Sequence, residues 1–171
     1  MGLNLSQLRD YVVVPALQQL GMYSLAAEQL VIGTIAQESH GAYLHQLGKG
    51  PALGLIQMEP ATHKDLWVNF IKYKPSISHA LLRMTSDSVD ECYSANGWPD
   101  HVALVWNLRY AIAMCRVHYY RKPQALPGKN DIREIGRYWK VHYNTVHGAG
   151  SVDEFVANFP FDLYGLEKEG C

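Results

Sequence analysis

A mainly α-helical fold in a single domain is what this sequence predicts, and three observations lead to it. Apolar residues recur three or four positions apart along most of the chain. Residues typical of helix starts and ends flank these segments. No internal repeat or linker divides the 171 residues, which are enough to bury one core. We therefore predict one domain over residues 1–171, with room for a small β-hairpin between Tyr43 and Leu55.

Two helices are predicted in the first forty residues. The first carries its apolar stripe from Leu5 to Leu20, is started again or kinked at Pro15, and ends at Gly21. Ser24 is expected to cap the second, because its hydroxyl can accept a hydrogen bond from a free N–H of the first turn. That helix ends in the segment 38–41.

Further helices are predicted after a loop at 42–53. Pro60 opens the first of them, since proline favours the first helical turn. The strongest stripe predicts one uninterrupted helix over 100–121, and Ser151 with Glu154 forms a capping box before a last helix. The other predicted helices are 78–84 and 131–143.

Composition excludes several classes of function. Charged residues make up 18% and hydrophobic residues 48%, which is typical of a folded globular chain. A net charge of −1 gives no pull toward nucleic acid or anionic lipid. The longest apolar runs fall far short of the roughly 18 residues of a membrane span. We therefore expect neither nucleic-acid binding nor stable membrane insertion.

The cysteines and the N-terminus bear on the compartment. Cys92, Cys115 and Cys171 match no disulfide framework and no zinc pattern, and Cys115 is expected in the core. The chain opens without the basic and then apolar segments of a signal peptide. We expect synthesis in a cytoplasm, so that something else must carry the protein to a substrate outside the inner membrane.

Two carboxylates stand out for chemistry. Glu38 closes an apolar helix, and partial desolvation there would raise its pKa, as a general acid near neutral pH requires. A Gly-rich loop then leads to Gln57 and to the second carboxylate, Glu59. This arrangement suits a glycosidase, which must protonate a poor leaving group. The alternative for Glu38 is a solvated glutamate at a helix end.

Three blocks carry a family resemblance: Glu38-Ser39, then Gly54-Leu55-Ile56-Gln57, then Tyr143-Asn144. In this order they resemble the signature blocks of the lytic transglycosylase and goose-type lysozyme superfamily, over about residues 24–144. The third block begins with His142, where the family usually has alanine. The resemblance implies a lysozyme-like fold around a glycan-binding cleft. It also implies cleavage of the β-1,4 bond between N-acetylmuramic acid and N-acetylglucosamine in peptidoglycan.

The resemblance also assigns roles. Glu38 would be the catalytic acid, the loop 54–58 would line the cleft, and Tyr143 and Asn144 would lie across from Glu38. Taken alone, Gln57 could instead bond to its own loop backbone, and Tyr143 could be a half-buried aromatic. The predicted substrate-binding residues are Ser39, His40, Gly54, Leu55, Gln57, Tyr143 and Asn144.

The second carboxylate separates two mechanisms. A transglycosylase can use Glu38 alone and form a 1,6-anhydro ring, whereas an inverting hydrolase needs a second carboxylate to activate water. Goose-type lysozymes carry an aspartate directly after the matching loop, which makes Glu59 a candidate base. Its alternative role is electrostatic, next to the positive end of the helix that Pro60 opens. The loop 43–53 contains no Asp or Glu, unlike the goose-type pattern, and Asp65 is expected to face solvent.

Four histidines and three tryptophans are candidates for contact with a metal ion or a sugar. The spacing of the histidines near the blocks fits no metal motif, so we predict no metal and no cofactor, and expect these residues to line a sugar cleft. Trp98 is the tryptophan expected to touch ligand, and Trp106 and Trp139 are expected in the core. The histidines concerned are His40, His45, His142 and His147.

The resemblance also indicates a biological setting. Without a signal peptide, a phage-encoded enzyme is favoured, either an endolysin that a holin releases or a virion protein that opens the wall. Its partners would be peptidoglycan strands, other virion proteins or the holin. Two alternatives stay open: a non-catalytic module of the virion that binds the cell wall, and a chitinase-like hydrolase acting on chitin or chitosan.

Overall fold

The computed structural model describes residues 2–48, 50–85, 97–144 and 149–168. Within these ranges the protein is mainly helical, as predicted, and no residue belongs to a strand. Short π-helical segments occupy Arg9–Val13 and Lys140–Asn144, and 3₁₀ turns occupy Ile71–Tyr73 and Phe161–Tyr164. The α-helices are α1 (Leu5–Leu8), α2 (Val14–Gln19), α3 (Leu25–Ser39), α4 (Pro60–Asn69), α5 (Pro75–Thr85), α6 (Ala103–Trp106), α7 (Leu108–Tyr120), α8 (Ile132–Trp139) and α9 (Val152–Asn158).

The predicted helix ends in the first forty residues are confirmed. Pro15 lies in the first turn of α2, and Gly21 follows that helix with a φ of 71°. Such a positive φ favours glycine at a helix end. The Ser24 hydroxyl accepts a hydrogen bond of 3.1 Å from the N–H of Ala27, and α3 runs from there to Ser39.

The prediction of one continuous helix over 100–121 is wrong. The helix is interrupted at Asn107, which has an extended backbone with φ −107° and ψ 93°. Its side chain accepts from the N–H of Tyr110 and donates to the Met84 carbonyl oxygen, so that it ends α6 and caps α7. An apolar stripe that runs through both helices cannot reveal such a cap, because the stripe records only burial.

Of the last two α-helices, α8 is shorter than predicted, whereas the predicted cap of α9 is present. α8 ends at Trp139, not at residue 143, and continues as the π-helical segment Lys140–Asn144. The capping box before α9 is confirmed, with Ser151 accepting from the Glu154 N–H and Glu154 accepting from the Ser151 N–H. π-Helical turns are rare and occur often at functional sites.

The hairpin between Tyr43 and Leu55 does not form in the described residues. Two isolated antiparallel bridges replace it, His45 with Leu53 and Leu53 with Met58. The segment is therefore a loop that folds back on itself twice. α5 begins at Pro75, earlier than the predicted start at residue 78, and residues 86–96, which follow it, lie outside the described residues.

The core lies around α7, whose residues Tyr110 to Val117 are all buried. α3 packs against it and against α8 and α9. Phe155 of α9 fills the space left by Gly33, where a Cβ would lie 2.3 Å from the phenyl ring. Cys115 is in the core, as expected, whereas Cys92 and Cys171 lie outside the described residues.

The two tryptophans predicted to lie in the core differ in their burial. Trp139 is fully buried, as predicted, but the prediction of a core position for Trp106 is wrong because its side chain is 45% exposed. Trp106 ends the short helix α6 just before the interruption, so it does not continue the stripe of α7. No helix in the described parts of the chain combines the length and the apolar character needed to cross a bilayer.

Candidate active site

A cavity of about 480 Å³ opens beside the C-terminal end of α3. It lies between that end, the loop leading to α4, the start of α4, one side of α7 and the π-helical segment. Both carboxylates that the sequence singled out line it, and so do three of the predicted substrate-binding residues. The lining residues are Glu38, Gln46, Ala52, Gln57, Met58, Glu59, Thr62, His118, Tyr143 and Asn144.

Glu38 lies in the last turn of α3 and is only partly exposed. Burial raises the pKa of its carboxyl group, because a carboxylate loses hydration there. A hydrogen bond from Trp139 acts in the opposite direction but is the smaller effect. The structure therefore contains the partly desolvated glutamate that was predicted and not the solvated alternative, and Glu38 retains its proton to higher pH than an ordinary glutamate.

The contact with Trp139 distinguishes the two oxygens of Glu38. The indole Nε1 donates to Oε1 over 2.9 Å. Oε2 has no hydrogen-bond donor among the described residues. A neutral carboxyl group accepts best at its carbonyl oxygen, so this contact favours Oε1 as the carbonyl oxygen and Oε2 as the protonated one. The protonated oxygen is thus the one free to donate to a ligand.

The loop after Glu38 is tied to α3 through Ser39. The Ser39 hydroxyl is buried and donates to the Leu55 carbonyl oxygen over 2.7 Å. Leu55 itself is 2% exposed and belongs to the core. Neither side chain lines the cavity, although both were predicted to bind substrate. They hold the loop in place beneath it.

Gly54 allows that loop to approach α6 closely. Its φ is 71°, and a Cβ at this position would lie 2.3 Å from the carbonyl oxygen of Leu104. Real Cβ atoms do not approach an oxygen so closely. Glycine is therefore required here both for its backbone conformation and for the contact, and Gly54 shapes the loop without lining the cavity.

Gln57 both lines the cavity and braces its loop. Its backbone lies in the left-handed region with φ 48°, and its amide nitrogen donates to the Gly54 carbonyl oxygen over 2.8 Å. The alternative role of Gln57, a hydrogen bond to its own loop backbone, is therefore present, and it involves the amide nitrogen only. The oxygen Oε1 has no partner among the described residues and remains available as an acceptor.

Tyr143 and Asn144 end the π-helical segment on the opposite wall. The Tyr143 hydroxyl donates to the Ile56 carbonyl oxygen over 2.7 Å, and burial raises its pKa well above the usual value. Asn144 Oδ1 accepts from Lys140 Nζ over 2.8 Å. Tyr143 thus joins the far wall to the same loop that Ser39 joins to α3.

Glu59 lies at the position before α4 and is exposed. Its side chain caps no N–H of that helix, so a capping bond does not account for it. Its negative charge can still interact favourably with the positive end of the α4 dipole. Glu59 lines the same cavity as Glu38, and these two are the carboxylates that line it among the described residues.

His118 is a lining residue that the sequence analysis did not select. Its Nε2 donates to the His142 carbonyl oxygen over 2.9 Å, and Nδ1 is buried without a partner among the described residues. Burial lowers its pKa to about 4, so the ring is neutral at pH 7. One signal was present: His118 follows the buried Cys115 by three positions and so shares its face of α7.

The other predicted ligand residues lie elsewhere. His40 is exposed and ends α3 in a left-handed conformation with φ 51°. Of the histidines expected to line a sugar cleft, His40, His45 and His142 do not border this cavity. His147 lies outside the described residues.

Trp98 and Asp65 also lie away from Glu38. The Trp98 ring stacks on Trp67 at 6.0 Å and lines a separate cavity of about 360 Å³. Asp65, expected to face solvent, is half-exposed and forms an ion pair with Arg121. In the described ranges, no three residues among His, Cys, Asp and Glu come together in a way that would hold a metal ion.

Comparisons with known proteins do not assign this chain to a family. A scan against models of protein families gave no match, and searches of curated proteins and of solved structures found no similar protein.

Proposed function

We propose that this protein is a muramidase with a lysozyme-like fold that cleaves the β-1,4 bond between N-acetylmuramic acid and N-acetylglucosamine in peptidoglycan. The single observation that carries the proposal is the state of Glu38. A partly buried carboxyl group with a raised pKa lines a cavity of about 480 Å³ together with Gln57, Tyr143 and Asn144. These are polar residues of all three blocks that resemble the lytic transglycosylases.

The reaction that we favour is that of a lytic transglycosylase. Glu38 Oε2 donates its proton to the glycosidic oxygen, the bond from that oxygen to C1 of muramic acid breaks, and N-acetylglucosamine leaves with a free hydroxyl group. The Glu38 carboxylate then accepts the proton of the C6 hydroxyl, whose oxygen bonds to C1. This closes the 1,6-anhydro ring, returns the proton to Glu38 and needs no second carboxylate.

Hydrolysis is the second candidate, and one observation favours it. Glu59 lines the same cavity and caps no N–H of α4. In that mechanism Glu59 removes a proton from water, whose oxygen adds to C1 while Glu38 protonates the leaving group. Glycosidases that invert the anomeric centre use two carboxyl groups in this way.

Mass spectrometry of the muropeptides released from purified peptidoglycan tests the proposal. We expect wild-type protein to release products with 1,6-anhydro-muramic ends, and the Glu38→Gln variant to release at least 10²-fold less while keeping its fold. Reducing muramic ends would indicate the hydrolase. Full activity of Glu38→Gln would overturn both mechanisms, and binding without any product would indicate a wall-binding module.

A further inference from the structure

A second cavity continues from the candidate active site. It has a volume of about 480 Å³ and shares Thr62 and His118 with the cavity that contains Glu38. We refer to it as the basic groove. The basic groove is lined by Ala61, Thr62, Asp65, His118, Arg121 and Lys122.

The charges of the basic groove do not cancel. Hydrogen bonds from Asn69 and Arg121 lower the pKa of Asp65, so its carboxylate is ionised, and Arg121 forms an ion pair with it. His118 is neutral at pH 7 because burial lowers its pKa to about 4. Lys122 is the remaining ionic group among the described residues that line the groove. Its side chain forms no ion pair within the described parts of the chain.

The Lys122 charge lies close to the junction of the two cavities. Its field lowers the pKa of both His118 and His142, although burial is the larger cause for each. His118 belongs to both cavities. A ligand that occupies the Glu38 cavity and extends past His118 would therefore place its next group near a cation with no partner among the described residues.

We propose that the basic groove binds a carboxylate of the peptide stem that muramic acid carries in peptidoglycan. This inference rests on the proposed function, because it takes the glycan strand to lie along Glu38. Each intact muramic residue bears its peptide through the lactyl group, so the peptide emerges beside the ring that reacts. Such stems carry free carboxylates, whose negative charge is opposite to that of Lys122, the cation without an ion-pair partner among the described residues of the groove. The protein would then bind peptide-bearing strands more tightly than neutralised ones.

Binding to insoluble peptidoglycan, measured by co-sedimentation, tests this inference. All variants carry Glu38→Gln, so that the peptidoglycan is not cleaved, and the protein with Glu38→Gln alone is the parent. Two samples are compared, native peptidoglycan and peptidoglycan whose free carboxyl groups are amidated with carbodiimide and ammonium. Lys122→Glu is the test variant and Lys122→Arg should preserve binding. Lys129→Glu is the matched control, since it makes the same charge change at an exposed lysine that borders neither cavity.

We expect Lys122→Glu to bind native peptidoglycan roughly three- to tenfold more weakly than Lys129→Glu, as a partly exposed attraction becomes a repulsion. Both variants should bind amidated peptidoglycan equally, and the parent should bind it more weakly than the native form. Equal binding of both variants to native peptidoglycan, or no effect of amidation on the parent, would overturn the inference.

The outcome is separable from that of the proposed function. Wild-type protein is assayed in parallel for release of muropeptides from both samples. No release, combined with the expected difference in sedimentation, would remove the catalytic proposal and leave the carboxylate site. Release from both samples at equal rates, with identical binding by the two variants, would leave catalysis and remove the site. A parent that does not sediment with peptidoglycan would overturn the carboxylate site, and would overturn both proposals if the wild-type protein also releases no muropeptides.

Discussion

Trp139 Nε1 lies 2.9 Å from Glu38 Oε1 and donates a hydrogen bond to it, although the two residues are 101 positions apart in the chain. The indole is fully buried in the core and packs on Phe155. A core side chain therefore contacts the candidate catalytic acid directly and lowers its proton affinity, against the larger effect of burial. The same indole thus packs in the core and forms a hydrogen bond with the candidate catalytic acid.

Replacing Trp139 by Phe should move the alkaline limb of the activity profile to higher pH. The indole hydrogen bond favours the Glu38 carboxylate, so its loss raises the pKa of that group further. The smaller ring should also lower the free energy of unfolding by about 1–3 kcal/mol. The measurement is muropeptide release against pH. Trp67→Phe is the control, since that buried indole donates to Tyr110 instead; an identical limb in both variants would refute the prediction.

Glu59→Gln decides whether Glu59 acts as a base. In the transglycosylase mechanism, kcat should stay within about threefold of the wild-type value, since no step uses this carboxyl group. Loss of a general base would instead reduce kcat by roughly 10²–10⁴-fold. Rates and product ends are measured together by mass spectrometry. A loss of that size, accompanied by reducing ends in the wild-type products, would replace the first mechanism by hydrolysis.

Ser39→Ala and Tyr143→Phe should each loosen the loop 54–58. They remove the bonds to the carbonyl oxygens of Leu55 and Ile56, which leaves buried acceptors without partners. We expect a cost of about 1–3 kcal/mol in each variant and a reduced kcat. Denaturant unfolding and kcat are measured for both single variants and for the double variant. Tyr120→Phe, at an exposed ring, should change neither quantity, and unchanged kcat in the test variants would contradict a positioning role.

Stability should rise with pH between about pH 4 and 6.5. His63 is buried against the Tyr110 hydroxyl at 2.7 Å, and burial lowers its pKa to about 4. Because the unfolded chain binds this proton more readily, the folded state gains stability as pH rises to about 6.5, and the gain is lost on acidification. It amounts to about 3 kcal/mol for His63, and His118 adds a similar effect.

Urea unfolding at several pH values checks this expectation. His63→Gln should show a smaller slope of unfolding free energy against pH than the wild-type protein. The exposed His79 of α5 offers a control, because His79→Gln should keep the wild-type slope. Equal slopes in all three proteins would show that His63 is not held neutral by the fold.

Gly54→Ala should destabilise the protein more than Gly21→Ala. Both glycines have a φ of 71°, so the backbone strain of an alanine is shared, about 1 kcal/mol. Only at Gly54 does the new Cβ meet another atom, the Leu104 carbonyl oxygen at 2.3 Å, whereas nothing lies within 4 Å at Gly21. We expect the difference to exceed about 1 kcal/mol, measured as unfolding free energies; equal costs would contradict the predicted contact.

Sequence reasoning recovered the helices where local chemistry decides the boundary. The Ser24 cap, the proline at the start of α4 and the capping box of Ser151 each act within four residues, so the pattern contains the cause. It failed at Asn107, whose amide nitrogen reaches the Met84 carbonyl oxygen 23 positions away. It also failed at Trp106, because exposure depends on what packs nearby in space.

The residues of the candidate site likewise include some that the sequence predicts and some that it does not. Glu38, Gln57, Glu59, Tyr143 and Asn144 were selected from the sequence and line one cavity. Ser39 and Leu55 were selected as ligands but support the loop from below, since the orientation of a side chain depends on the neighbouring loop. His118 was missed because neither its sequence neighbours nor its spacing from the blocks marks it as part of a site, and its position in the cavity appears only in the folded structure.

By itself, then, the sequence determined the helical class, most helix boundaries and the order of the blocks that indicate a glycosidase. These depend on interactions over a few residues, which a linear pattern records. The tertiary structure decided the proton affinity of Glu38, the second wall formed by Tyr143, and the position of Lys122 in the neighbouring basic groove. These depend on burial and on charges brought together from distant positions, and burial exists only once the chain has folded.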